Sequence, residues 1–338
     1  MADRVKMALV GCGGIARAHW RGILYVATDI DVTAVIDNHE GRVREMAERT
    51  GGEPFTSLTE ALSKGDFDAV DLMLPHDLHM QYAEECFMAG KHVVLEKPMA
   101  PDVASCNRIL SAAKKAGTVF MIAEQSQYWP DVIKAKALIE EGSIGDVVSA
   151  RANFFDPLLV NPYGPVPWRF SLEKSGGGIS IDGGTHWIRP LRIWLGEIDE
   201  AIAVTSRHVP NMEGESMAHA IFKFESGVAA TFDALISPAN VGPMESFRIT
   251  GSDGALVIEN GRTGRLMLYN ADHPEGESIM EVMQGRVDSF GTELQDFADA
   301  VLRGKTLAAS PEYSLGELRT ALAMYRSVES GQWEKVWE

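Results

Sequence analysis

Strand and helix alternate through the first third of this 338-residue chain, and that alternation leaves few folds open to it. Apolar or β-branched runs at 5–10, 31–36, 68–74, 92–95 and 118–123 each read as a buried strand. Helical patterns near 40–49, 58–64, 81–88 and 102–116 fall between them. A repeated βα unit needs parallel pairing with right-handed crossovers, which gives a doubly wound α/β sheet. Such sheets bind ligands outside the carboxyl ends of their strands, so residues at those ends are the first candidates for chemistry.

The first strand runs straight into Gly11-Cys12-Gly13-Gly14-Ile15-Ala16, a G-x-G-x-x-A that opens a helix. Gly11 permits the tight turn, Gly13 lets the backbone approach a pyrophosphate, and Ala16 allows close helix–strand packing. The backbone N–H groups at the head of the helix, around Gly14 and Ile15, suit phosphate oxygens. The second strand ends at Asp37-Asn38, about 20 residues on, where an acid accepts the ribose hydroxyls of a dinucleotide. The same aspartate also suits a turn or helix cap before Glu40. NAD is expected, and NADP stays open because Arg42 and Arg44 follow.

His92-Val93-Val94-Leu95 delivers Glu96-Lys97-Pro98 to the same edge, with proline ending the ladder. Beyond residue 124 the pattern changes to a helix over 131–141 and then strands at 146–155, 198–207, 217–224, 228–236, 244–250, 255–260 and 264–270. Turn signals such as Gly251-Ser252-Asp253-Gly254 predict a large, mostly antiparallel open sheet. Helices near 289–303 and 311–329 close the chain. A proline-rich crossing (Pro157, Pro162, Pro165, Pro167) leads to Trp168-Arg169 and then Gly176-Gly177-Gly178, Asp182-Gly183-Gly184 and His186. On one helix Asp182 and His186 are i and i+4 and share a face. Gly183 and Gly184 would clear room there for a ligand, and Pro190 would kink or restart the helix. No third ligand spacing accompanies this pair, so a metal is not expected.

Three of these stretches, "AGKHVVLEKPMA", Pro75-His76-Asp77-Leu78-His79 and "W-R … G-G-G-x-x-x-D-x-G-x-H", resemble the signatures of the Gfo/Idh/MocA (glucose–fructose oxidoreductase/inositol dehydrogenase) family. The resemblance covers essentially the whole chain. It implies an NAD(P)-binding Rossmann domain over 1–123 and an α+β substrate-binding and oligomerisation domain over 124–338. Pro75 and His76 would lie along the nicotinamide, with Glu96 and Gln125 beside the cofactor; capping and packing suit His79 better. Lys97, Gln125, Trp168, Arg169, Asp182 and His186 would face the substrate, a sugar, cyclitol or related polyol oxidised at a secondary alcohol. His186 would be the general base, Lys97 the donor to the reacting oxygen and Asp182 the orienting carboxylate. The family often has an acid three positions after the histidine, where this chain has Arg189. Two other activities fit the fold: an NAD-dependent glycosidase that eliminates through transient oxidation, and a regulator that binds NAD without chemistry.

A net charge of −17 argues against nucleic acid or an anionic membrane as partner. No apolar run approaches the ~20 residues of a membrane span, and no leader pattern opens the chain. Cys12, Cys86 and Cys106 make neither a disulfide framework nor a metal spacing, which suits a reducing cytoplasm. An open sheet with one face covered by helices needs cover on the other. A homodimer or homotetramer is expected, with Gly227–Ile236 contributing to that face.

Overall fold

The computed structural model describes residues 4–157, 167–237, 244–260, 264–281 and 283–338; Pro162 and Pro165 of the proline-rich crossing lie outside them. By its internal contacts the chain divides into two compact units, Met1–Gln125 with Asp288–Leu315, and Ser126–Val287 with Gly316–Glu338.

The first unit is built on six parallel strands, β1 (Val5–Val10), β2 (Ile30–Ile36), β3 (Glu53–Phe55), β4 (Ala69–Leu72), β5 (His92–Glu96) and β6 (Phe120–Ala123). Their order is β3-β2-β1-β4-β5-β6. Helices α1 (Gly14–Tyr25), α2 (Glu40–Thr50), α3 (Leu58–Lys64), α4 (His79–Met88) and α5 (Val103–Ala116) connect them. The central strands are apolar on both faces because helices cover both, and Met7, Leu9, Val94 and Leu95 are fully buried. β3 is three residues with a proline, tolerable only at an edge and too short for a period to show. The order reverses between β1 and β4, which makes the gap beyond their carboxyl ends the switch point where ligands bind.

α6 (Pro130–Glu140), α7 (Leu172–Ser175), α8 (Ile179–Asp182) and α9 (Thr185–Leu195) follow, and α10 (Met283–Arg303) and α11 (Leu315–Ser330) come last. Residues 288–315, which the sequence pattern groups with the second domain, pack with the first unit. The reason is a glycine seam. A Cβ on Gly22 of α1 would come within 2.6 Å of the Gly291 nitrogen of α10, and one on Gly291 within 2.7 Å of the Gly22 carbonyl.

In the second unit β7 (Val147–Pro157), β8 (Ile198–Ser206), β9 (Met217–Phe224), β10 (Ala229–Ser237), β11 (Met244–Gly251), β12 (Gly254–Asn260), β13 (Arg265–Asn270), β14 (Glu277–Glu281) and β15 (Glu334–Lys335) form one sheet. Its order is β14-β13-β12-β11-β7-β10-β9-β8-β15, antiparallel except where β10 runs parallel to β7. One face packs on α6, α9 and α11 through Val132, Trp187, Leu191, Phe222, Phe232 and Met324. In β10 the residues facing the helices are Ala230, Phe232, Ala234 and Ile236. The run Gly227–Ile236 therefore gives the outer face only Ala229, Thr231, Asp233 and Leu235, less apolar surface than its composition suggests. Among the described residues no helix is long and apolar enough to cross a membrane.

Candidate active site

In the first unit every candidate residue lies at the carboxyl edge of the parallel sheet: the glycine loop after β1, Asp37 after β2, Pro75 and His76 after β4, Glu96 and Lys97 at the end of β5, and Gln125 after β6. Gly11 has φ +92°, and a Cβ there would sit 2.1 Å from the Met73 carbonyl oxygen, so glycine is obligatory for the turn. Gly13 and Gly14 are different, because a Cβ on either would meet no protein atom within 4 Å. Protein packing gives no reason for glycine at these two positions, whereas close approach by a ligand does. α1 starts at Gly14 with no side-chain cap and no acid in its first turn, leaving its N–H groups to an anion. This loop fits a dinucleotide pyrophosphate.

Asp37 is buried at 7 % exposure and works within the protein as well. The Cys12 N–H donates to its Oδ2 at 2.9 Å and the His39 N–H to its Oδ1 at 2.8 Å. The Arg42 guanidinium also reaches Oδ2, at 3.5 Å. Asp37 thus ties the glycine loop to the turn after β2. Cys12 is no nucleophile: burial, then the Asp37 charge, push its thiol up to about 12. His79 is buried with Nδ1 2.9 Å from the Pro98 carbonyl and Nε2 2.9 Å from the Leu74 carbonyl. It fastens the loop after β4 to the Lys97-Pro98 corner, as its packing role predicts. His76 is also buried, its ring edge-on to His79 at 5.6 Å. Gln125 accepts a 3.4 Å hydrogen bond from Ser289.

In the second unit Trp168, Arg169, Asp182 and His186 lie along the run from residue 168 into α9. Arg169 Nε pairs with Asp182 at 3.0 Å, and its guanidinium lies 4.4 Å from the Trp168 ring centre. The His186 ring is 6.3 Å from Trp129, which meets Trp187 edge-on at 5.4 Å. Asp156, unmarked by any motif, joins this group at the end of β7. Burial, then the Asp182 charge, raise its carboxyl above the ordinary range against the pull of Arg169.

Two expectations need correction here, and a third is narrowed. Asp182 and His186 do not share a continuous helix: α8 ends at Asp182 and α9 begins at Thr185. The intervening Gly183 and Gly184 keep right-handed angles, but His186 N–H bonds to Gly183 three residues back instead of to Asp182. The two glycines do not clear room for a ligand. A Cβ on Gly183 would fall 2.1 Å from the Phe154 ring, and one on Gly184 2.6 Å from the Ser180 carbonyl and 2.9 Å from Phe232. They let this segment lie against the sheet. Nor does Pro190 restart the helix, which continues to Leu195.

Sequence reasoning also missed what holds this segment. Glu215 is buried and its carboxylate accepts the N–H groups of Gly178 (3.0 Å) and Ser180 (2.9 Å) and the Tyr325 hydroxyl (2.9 Å). Arg189, where the family often has an acid, is fully buried and pairs with Glu317 at 2.8 and 3.1 Å. Arg192 shares Glu317 and also pairs with Glu197 at 2.6 Å. Its guanidinium lies where a Cβ on Gly316 would be. The available signal was two arginines three apart on an otherwise apolar helix. Among the described residues no group of three or more His, Cys, Asp or Glu side chains is arranged to hold a metal ion.

Comparison with known proteins agrees with both units. Residues 5–124 match the family model for an oxidoreductase family with an NAD-binding Rossmann fold, and residues 132–257 that of the GFO/IDH/MocA C-terminal domain. The chain is 29% identical to 1,5-anhydro-D-fructose reductase of Ensifer adhaerens, covering 97% of each. It is 26% identical to myo-inositol 2-dehydrogenase of Thermotoga maritima, over 99% of each. A levoglucosan dehydrogenase solved with NADH and levoglucosan shares the fold at TM-score 0.87 and 22% identity, over 98% of this chain and 99% of that one.

Proposed function

The chain belongs to the Gfo/Idh/MocA oxidoreductase family, and from that premise we propose that it transfers a hydride between NAD(P) and a secondary alcohol of a sugar, cyclitol or related polyol. The observation that carries the cofactor half is the open cradle at Gly13 and Gly14 in front of an uncapped helix. Bound nicotinamide supplies the hydride acceptor, and the protein supplies position and proton chemistry. Gly11, Gly13, Gly14, Ile15 and Ala16 would hold the phosphates, Asp37 and Asn38 the ribose, and Pro75, His76, Glu96 and Gln125 the rest of the cofactor. His186 would take the hydroxyl proton as the general base. Lys97 would donate to the same oxygen as it gains alkoxide character. Asp182, steadied by Arg169, would orient a neighbouring hydroxyl, with Trp168 as a wall. Reduced nicotinamide formed against a panel of sugars and polyols tests the activity. Free sugar released without net cofactor reduction would point to a glycosidase instead.

Cofactor choice rests on Asp37. Asp37→Ser should raise relative efficiency with NADP by removing the carboxylate that repels a 2′-phosphate, while Arg42 remains within reach. A wild-type enzyme that already prefers NADP severalfold would show that Asp37 does not read the ribose.

A homodimer or homotetramer through the outer face of the nine-stranded sheet is part of this proposal. That face carries Ile202 opposite Ile221, and Met217 opposite Leu235, with Val204 exposed at 62 % and Ile221 at 43 %. Light scattering at micromolar concentration should give a multiple of the chain mass; a monomer would remove the assembly. Three buried, unbridged cysteines support a reducing, cytoplasmic setting.

A further inference from the structure

Five buried ionisable groups converge inside the first unit, each from a different element. They are His19 on α1, Asp71 on β4, Glu96 on β5, Glu124 just past β6 and Glu293 on α10; His19, Asp71 and Glu293 are 0 % exposed. His19 Nδ1 lies 2.7 Å from Asp71 Oδ2, and its Nε2 lies 3.0 Å from Glu96 Oε1. An imidazole between two carboxylate oxygens donates from both nitrogens only as the cation. Burial opposes that cation, but Asp71 and Glu96 outweigh it and hold His19 well above the ordinary histidine range. The other Glu96 oxygen accepts the backbone N–H of Lys97 at 3.1 Å. A continuous line of contacts thus runs from the glycine-loop helix to the lysine corner.

Glu293 stands apart within the cluster. Neither of its oxygens has a hydrogen-bond partner among the described residues, and the His19 Nε2 is 3.9 Å away. An ionised carboxylate sealed from water without donors is strongly disfavoured, so the group takes a proton instead. Burial first, then the charges of Glu96, Glu124 and Asp71, raise its carboxyl well above the usual range despite His19. Phe290, one turn back on α10, closes the site against the His19 ring at 5.6 Å.

We propose that His19 and Glu293 are positioning residues for Lys97: the imidazolium ties Glu96 to Asp71, and Glu293 stands beside it as a neutral acid, so that the corner bearing Lys97 keeps one shape. The role assigned to Lys97 rests on the proposed hydride transfer; the protonation of Glu293 does not. Ionisation of Glu293 would add an anion beside Asp71, Glu96 and Glu124, against the pull of His19, and the corner would loosen.

The test uses the full chain with Glu293→Gln, His19→Gln and the double variant His19→Gln/Asp71→Asn, and Lys97→Met as reference. Glutamine at 293 copies the shape of the neutral acid and cannot ionise. The infrared difference spectrum of wild type minus Glu293→Gln at pH 7, without substrate, should show the carbonyl stretch of a protonated carboxylic acid. A raised acid gives stability that is lost as pH rises through its folded pKa, so Glu293→Gln should hold its thermal midpoint and kcat to higher pH than wild type. His19→Gln should lower kcat by roughly 10–100-fold with little change in NAD affinity, as expected of a displaced lysine. If that variant does not fold, the double variant removes the stranded Asp71 charge and carries the same expectation. No carbonyl band, a coincident alkaline limb, or wild-type kcat in the His19 variants would overturn the proposal. So would a double variant that still fails to fold, which would make the cluster purely structural. Full turnover in Lys97→Met would instead sink the role that the proposed function gives Lys97, and the infrared band would still judge Glu293.

Discussion

Lys97→Met and His186→Ala are each expected to lower turnover by about 10²–10⁴-fold, the usual range for losing a positioned acid–base group. Methionine keeps most of the lysine stem and removes the ammonium donor. Alanine at 186 removes the proposed base from a helix whose buried contacts come from Trp187, Ile188, Leu191, Trp194 and Leu195, so the fold should survive. NAD affinity should change little, since Gly11, Gly13, Gly14 and Asp37 belong to a glycine loop and strand end that neither side chain shapes. If both groups serve one proton-transfer step, the double variant should be scarcely worse than the worse single one. NAD titration and initial rates on the best panel substrate check all three. Undiminished turnover in both single variants would remove Lys97 and His186 from the chemistry, whereas a wild type that binds NAD and turns over no panel substrate would leave a nucleotide-binding regulator as the better reading.

The largest stability effect is expected at Glu317. Arg189 and Arg192 are 1 % and 2 % exposed, and Glu317, itself 2 % exposed, faces both. Glu197 balances only Arg192. Glu317→Ala therefore takes from the buried Arg189 guanidinium the carboxylate it pairs with, leaving it the neutral Gln127 at 3.1 Å, a change that destabilises by about 3–5 kcal/mol and lowers the thermal midpoint by roughly 10 °C. Replacing the whole knot with apolar residues of similar volume should cost far less, because the attraction of a buried ion pair mainly offsets its own desolvation. Thermal unfolding of both variants checks this. A midpoint within a degree or two of wild type for Glu317→Ala would mean that the arginines find water or other partners.

The first unit was legible because its signals are local. Val5–Val10, the glycine loop and Asp37 lie within a few dozen residues, and period and turn chemistry act at that range. The second unit resisted for the opposite reason. Whether Gly183 serves a ligand or Phe154 depends on a strand about 30 residues away, and Glu317 meets Arg189 across 128 residues. Asp182 and His186 stand at a helical spacing, but close packing on Phe154 and Phe232 breaks the helix between them. Glu293 gave no sign of itself, since a glutamate on an amphipathic helix normally faces water. Only the glycine seam between α1 and α10 turns it inward.

That seam also bears on synthesis. The ribosome makes Gly22 more than 250 residues before Gly291 exists to cover it, and the whole parallel sheet is finished at Ala123 well before then. Until residues 288–315 emerge, α1 presents a bare glycine groove and the His19 side chain lacks its Glu293 and Phe290 wall. The nucleotide-binding half is thus the first to be translated and among the last to be completed. A nascent chain stalled before residue 288 would be a client for chaperones rather than a half-finished enzyme.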